Sequence, residues 1–157
     1  MLSSLFPIMT THRLKSKAVR IAALDDHSII RAVFRTIAED AQDLELAWTA
    51  SSIAEAKEHL LKEVPDLMLV DVTLPDGEGY DFITHALKHA PQLPVLMVSM
   101  HEEPVYAQRA YEAGAKGYVV KNISPWELLK VMQSILDGES YFMPKVDMTK
   151  NGMSHTG

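Results

Sequence analysis

The chain has 157 residues, no cysteine and a net charge of −6, enough length for one domain with a full core and no possibility of disulfides, thiolate metal sites or a cysteine nucleophile. The acidic balance argues against broad nucleic-acid binding by this chain. Its apolar stretches are too short to span a bilayer, so no membrane role is expected and the cytoplasm is the expected compartment.

Residues 1–17 read as a flexible extension. Leu5, Phe6, Pro7, Ile8 and Met9 are apolar, but no charged segment precedes them and no small-residue cleavage site follows, so a signal peptide is not expected and Met9 is a candidate start. Arg13, Lys15, Lys17 and Arg20 form a mild basic patch, read as part of a flexible tail rather than a nucleic-acid arm. Val19–Leu24 is a strand by run length and branching. It ends in Asp25 and Asp26, after which Ile29, Ile30, Val33, Phe34 and Ile37 recur at helical spacing,. Leu44, Leu46 and Trp48 alternate with Glu45, Ala47 and Thr49, the pattern of a half-exposed strand at a sheet edge. Ser52 and Glu55 have the spacing of a capping box and open a helix over about 52–63,.

Leu67–Val70 is an uninterrupted apolar run bounded by Pro65 and by Pro75, Gly77 and Gly79. Such a run is a strand buried on both faces, and it delivers Asp71 to its carboxyl end. Gly79–His89 is helical, with Phe82, Ile83 and Leu87 inward; Pro91 and Pro94 frame a strand over 95–98 that ends at Ser99,. Pro104 is a first-turn proline of a helix closed by Gly114,. Gly117–Val120 is a fifth strand, ending at Lys121. Ser124, Pro125 and Glu127 supply an N-cap, a first-turn proline and a third-position acid for a last helix, with Leu128, Val131, Met132 and Ile135 inward and Gly138 after its end,. From about Pro144 the composition turns polar and unpatterned, giving an organisation of 1–17 extension, 18–143 domain, and 144–157 tail or start of a linker.

Five strands alternating with five helices demand an α/β doubly wound parallel sheet with helices on both faces. Ligands of such sheets bind beyond the carboxyl ends of the strands. At those ends stand Asp25 and Asp26, then Asp71, Ser99 and Lys121. Three converging carboxylates repel one another, which raises a pKa or recruits a cation, and oxygen donors of this kind suit Mg2+. One acid is then left for another task. A carboxylate can attack a phosphoryl group, with a lysine ammonium neutralising the transferring oxygens. Asp71, the central acid, is the candidate phosphoacceptor, Lys121 the cationic partner, and the Ser99 hydroxyl a donor to a phosphoryl oxygen.

The ordered set of Asp25 and Asp26, Asp71 with Pro75 and Gly79, Ser99, and Tyr118 three residues before Lys121 resembles a response-regulator receiver domain of two-component signalling over roughly 18–143. The resemblance implies a flavodoxin-like strand order 2-1-3-4-5, magnesium held by Asp26, Asp71 and the Thr73 backbone carbonyl with Asp25 assisting through water, and Ser99 and Tyr118 as a switch pair. It also implies a sensor histidine kinase as phosphoryl donor and a homodimer as one possible assembly. Asp25, Asp26, His27 and Arg31, the residues 99–102, 114–122 and 137–142, are similar to NarL/FixJ-type regulators with a LuxR-type output, which carry a C-terminal DNA-binding helix-turn-helix. Fourteen residues follow Met143, too few for that domain. The expectation is a truncated transcriptional regulator, with DNA contacted only through an output domain not present here; the alternative is a stand-alone receiver acting by protein contact or phosphorelay. Asn122 stands where many receivers have proline, which leaves a cis peptide after Lys121 open. His101, two residues after Ser99, is bulky and near the family's water path, and suggests slow loss of phosphate.

Other readings compete. Asp25 and Asp26 alone would be helix caps, Ser99 alone a strand-end cap, Lys121 alone a solvated charge, and Tyr118 plain packing. Asp81, His85 and His89 mimic a metal stripe, but a solvated face is preferred. His27 reads as a helix-start residue. The nine methionines read as core filler,. A haloacid-dehalogenase-like phosphatase also uses an aspartate after a buried strand, yet it wants an acid two positions later, where this chain has Thr73,.

Overall fold

The computed structural model describes residues 18–41 and 43–149. The expected extension, with Met9, Arg13, Lys15 and Lys17, and the last residues of the tail lie outside the described residues. The elements run β1 (Val19–Leu24), α1 (Ser28–Asp40), β2 (Leu44–Ala50), α2 (Ile53–Lys62), β3 (Leu67–Val70), a small hairpin of β4 (Thr73–Leu74) and β5 (Gly77–Glu78), α3 (Gly79–His89), β6 (Val95–Ser99), α4 (Pro104–Ala113), β7 (Gly117–Val120), α5 (Pro125–Leu136) and β8 (Tyr141–Phe142). No helix among the described residues is long and apolar enough to cross a membrane.

One parallel sheet has the order β2-β1-β3-β6-β7-β8. The five expected strands hold the expected order, with β2 at one edge. A sixth, β8, adds two residues to the other edge, where Gly117 pairs with Tyr141 and Tyr118 with Phe142. Two residues are too short a run for any periodicity to reveal them. Alternate strand residues feed two cores. Ala22, Leu24, Met68, Val70, Val95 and Met97 face Leu60 of α2, Phe82 and Ile83 of α3, and Ala107 and Ala110 of α4. Ile21, Ala23, Leu67, Leu69, Leu96 and Val98 face Phe34 and Ile37 of α1 and Leu128, Val131, Met132 and Ile135 of α5. Every residue of β3 is buried, as a central parallel strand between two helical layers must be.

Three local details depart from the pattern. The register of β1 on β2 shifts between Ile21 and Ala22, so that Ile21 pairs with Leu46 and Ala22 with Trp48. The extra residue, Ala47, reverses the facing of the rest of the strand, and Leu44 packs in one core while Trp48 packs in the other,. Val33, one of the apolar residues at helical spacing in α1, is 39% exposed. Arg20 belongs to no tail: its guanidinium clamps Glu45 and Glu63, and its amide donates to Asp66.

Helix ends explain where the chain turns. Ser52 caps α2 by accepting from the Glu55 amide, but Glu55 accepts from the Ser51 amide instead of closing the box. Asp76, from the hairpin, accepts from the amides of Ile53 and Ala54 at 2.8 and 3.0 Å and completes that cap. Ser124 and Glu127 form the full capping box on α5. Gly114 ends α4 at φ +108°, a left-handed conformation in which a side chain is strained,. The cis peptide among the described residues is Met143–Pro144; Lys121–Asn122 is trans.

Candidate functional site

The carboxyl ends of β1, β3, β6 and β7 bring Asp25, Asp71, Ser99 and Lys121 together at one rim. Backbone ladders fix them there: the Asp25 amide donates to Ala50, that of Asp71 to Leu24, and that of Lys121 to Ser99. Asp25, Asp71 and Ser99 are the three buried polar residues among those described. The Lys121 ammonium lies 2.8 Å from Asp25 Oδ2 and 2.9 Å from Asp71 Oδ2, on a side chain only 3% exposed. Asp71 Oδ1 accepts from the Val72 amide at 2.7 Å.

The chain tightens behind Asp71 because position 79 is glycine. A Cβ there would meet the Asp71 carbonyl oxygen at 2.0 Å and the side chains of Met97 and Val70 at 2.8 Å. Gly79 in turn donates its amide to the Val72 carbonyl at 2.7 Å, so the start of α3 rests directly on the loop that carries the acid.

Burial pushes the Asp71 carboxyl above the usual aspartate range; the hydrogen bond from Lys121 opposes this and the charge of Asp25 adds to it,. Burial pulls Lys121 down, but its contacts with Asp25 and Asp71 outweigh that and hold it above the ordinary lysine value. The ammonium is therefore a fixed positive charge between two acids.

Asp25, Asp26, His27 and Asp71 each offer a ligand atom within 4.8 Å of one another. The buried Asp25 Oδ2 has the Lys121 ammonium as its polar neighbour, at 2.8 Å. Three carboxylates gathered against a single ammonium leave excess negative charge, and such an oxygen donor set fits a hard divalent cation,. Asp26 and His27 are the exposed members of the set. Thr73 lies in β4, two residues beyond Asp71, with its hydroxyl 3.3 Å from His101 Nε2.

His27 is the N-cap residue of α1, the helix-start position expected of it, yet its ring also enters the site. Nδ1 is 3.1 Å from Oδ1 of both Asp25 and Asp26, 3.8 Å from Asp71 Oδ2 and 3.4 Å from Lys121 Nζ. Adjacency to the acid pair is the available signal; the sequence hides the turn that folds the ring back over it. Arg31, one turn along α1, donates to the Asp25 carbonyl at 2.7 Å and fixes that turn. Asp81, His85 and His89 are outside this cluster, with Asp81 and His89 exposed.

Beside the acids, the Ser99 hydroxyl accepts from the His101 amide at 3.2 Å, and the Tyr118 hydroxyl donates to the His101 carbonyl at 2.7 Å. Tyr118 is fully buried, which pushes its phenol up. The His101 ring stacks on Tyr106 of α4, centroids 4.0 Å apart and 8° from parallel.

A model of the response regulator receiver domain matches residues 21–133. The oxygen regulatory protein NreC of Staphylococcus haemolyticus is 29% identical over 124 residues, 78% of this chain and 57% of that protein. NreC of Staphylococcus aureus is 30% identical over the same shares, so the chain spans well under two thirds of these curated relatives. A two-component response regulator of the LuxR family from Aurantimonas sp. superposes with a TM-score of 0.76 at 29% identity, over 89% of this chain and 99% of that one. The non-phosphorylated receiver domain of RcsB from Escherichia coli, at 19% identity, shares the fold with a TM-score of 0.74 over 80% of this chain and 98% of that one. Fold, rim chemistry and sequence agree, and the chain belongs to the response regulator receiver domain family.

Proposed function

We propose that this chain is a phosphoryl-accepting switch in which Asp71 takes the phosphoryl group of a sensor histidine kinase. The observation that carries the reading is the buried Lys121 ammonium held 2.9 Å from Asp71 Oδ2 within a cluster of three aspartates. An Asp71 carboxylate oxygen attacks phosphorus, the phosphorus–nitrogen bond of the donor phosphohistidine breaks, and the released imidazole takes a proton from water. The Lys121 ammonium, already beside Asp71 Oδ2, then pairs with the oxygens of the phosphoryl group that Asp71 carries,. Asp25, Asp26 and Asp71, with the Thr73 backbone carbonyl, are the groups that would hold Mg2+, which when bound supplies charge against the phosphoryl oxygens.

Ser99 and Tyr118 relay the event. The Ser99 hydroxyl now engages the His101 amide; a phosphoryl oxygen on Asp71 draws it away, and the loop after β6 moves with it. Such a relay biases contact with an output, which we assign to transcription through a DNA-binding domain, with a second copy of the chain as a partner. Thr73 stands where a dehalogenase-like phosphatase places its general acid/base, so the chain accepts a phosphoryl group rather than turning over phosphoesters.

Incubation with acetyl phosphate and Mg2+, followed by intact mass measurement, tests this. One phosphoryl adduct is expected on the wild type and none on Asp71→Asn. Lys121→Ala should form it about 100-fold more slowly, the loss expected for a preorganised electrostatic group. An equal adduct on Asp71→Asn, or release of phosphate over many turnovers from added phosphoesters, overturns the proposal.

A further inference from the structure

The outer face of α4 is covered by the chain's own continuation. Gln108 brackets Asp147 with its side-chain amide: Nε2 donates to the Asp147 carbonyl at 3.0 Å, and to Glu112 Oε2 on its own helix at 3.4 Å, while Oε1 accepts from the Asp147 amide at 2.8 Å. That is the two-bond exchange by which one strand edge recognises another. Tyr111, three residues on and on the same helix face, donates its hydroxyl to the Met148 carbonyl at 2.7 Å. Val146 packs against the core cluster, and the Tyr111 ring meets Phe142 of β8 edge-on at 5.6 Å. The far end is folded in by Asp147, whose carboxylate accepts from both the amide and the hydroxyl of Thr149.

We propose that 146–149 is a peptide strap docked on α4 through Gln108 and Tyr111, and that phosphorylation of Asp71 releases it; the release rests on the phosphoacceptor reading above. The root of the strap and the helix beneath it are each linked to the switch residues. At its root, the Met143 amide donates to the Tyr118 carbonyl at 2.9 Å. Beneath it, α4 is fixed by Tyr106, which stacks on His101 and takes the Tyr80 hydroxyl on its carbonyl at 3.1 Å. His101 in turn holds the Ser99 hydroxyl with its amide and the Tyr118 hydroxyl with its carbonyl. Withdrawal of Ser99 toward a phosphoryl group frees the His101 amide, His101 carries Tyr106 with it, and the first turn of α4 moves beneath Gln108. Hydrogen bonds at 2.8 to 3.0 Å lose most of their strength within about 0.6 Å of stretch, so a small displacement of α4 undoes the docking. A bistable helix thereby converts a change at the rim into release of whatever the chain carries beyond 149.

Amide hydrogen exchange of 15N-labelled protein reads the strap directly. In the unphosphorylated wild type the Asp147 amide should exchange at least about tenfold more slowly than an unstructured peptide, and Gln108→Ala should abolish that protection while leaving β6 amides unchanged. With acetyl phosphate and Mg2+, and the adduct verified by mass, Asp147 should exchange about tenfold faster than before. An Asp147 amide as fast as free peptide in the wild type overturns the docking, and a rate unchanged in verified phosphoprotein overturns the release. Should no adduct form, it is the phosphoacceptor reading that fails. The coupling is then read from Tyr118→Phe, which should speed Asp147 exchange at least about threefold; an unchanged rate overturns it.

Discussion

Asp71 works at the rim because of what surrounds it within a few ångströms. Gly79 is the least visible of these neighbours, since its contribution is an absent side chain 2.0 Å from the Asp71 carbonyl oxygen. Gly79→Ala should cost about 1–3 kcal/mol in urea unfolding, the range for overpacking a filled site, and should also slow phosphoryl acceptance by displacing the loop. His101 lies over the rim between Thr73 and Tyr106. With a phosphoryl group on Asp71, as proposed, the imidazole would stand between it and water, so His101→Gly should shorten the lifetime of the phosphoprotein; a decay no faster than wild type in a mass time course would contradict this. At this scale Asp25, Asp26, Asp71, Ser99 and Lys121 are legible in the sequence, because each comes at the end of an apolar strand and a parallel sheet must collect such residues at one rim. The place of His27 in the cluster is not, since nothing in linear order shows that the turn before α1 folds back.

At the scale of elements, run length and punctuation serve well where helices have sequence-local caps. Ser124 and Glu127 mark α5 from within the helix itself, and Ser124→Ala should lower stability by about 1 kcal/mol, measurable as a shifted urea midpoint. For α2 half of the cap comes from Asp76, 23 residues away, beyond the reach of any local motif. The amides of Ile53 and Ala54 hold the Asp76 carboxyl below its usual range. A depressed acid contributes stability that is present above its unfolded pKa of about 3.9 and lost as pH falls through the lower folded value. Asp76→Ala should therefore lower Tm at pH 7, and the gap to wild type should close as pH is taken below that range. A gap of constant size across the titration would assign the loss to packing rather than charge. The β2 bulge is hidden for the same kind of reason: alternation alone implies one face, while pairing with β1 inserts Ala47 and sends Trp48 to the other core.

Over the whole molecule, the doubly wound sheet does two things at once. It buries β3 between two helical layers, and it aims the ends of four strands at one point, so that a cluster of like charges costly anywhere else is tolerated beside Lys121. The layer arrangement is readable because five apolar runs spaced by helices dictate it. The far edge is not, because β8 is two residues long and the docking of 146–149 on α4 uses main-chain groups that any sequence possesses. The proposed phosphoryl chemistry converges on one side chain, Asp71. Borohydride reduction of the phosphorylated protein turns an acyl phosphate into the corresponding alcohol, and peptide mapping then locates it. Homoserine at position 71, and at no other aspartate, is the predicted result; homoserine at position 25 or 26, or none in a protein that carries the adduct, would contradict it.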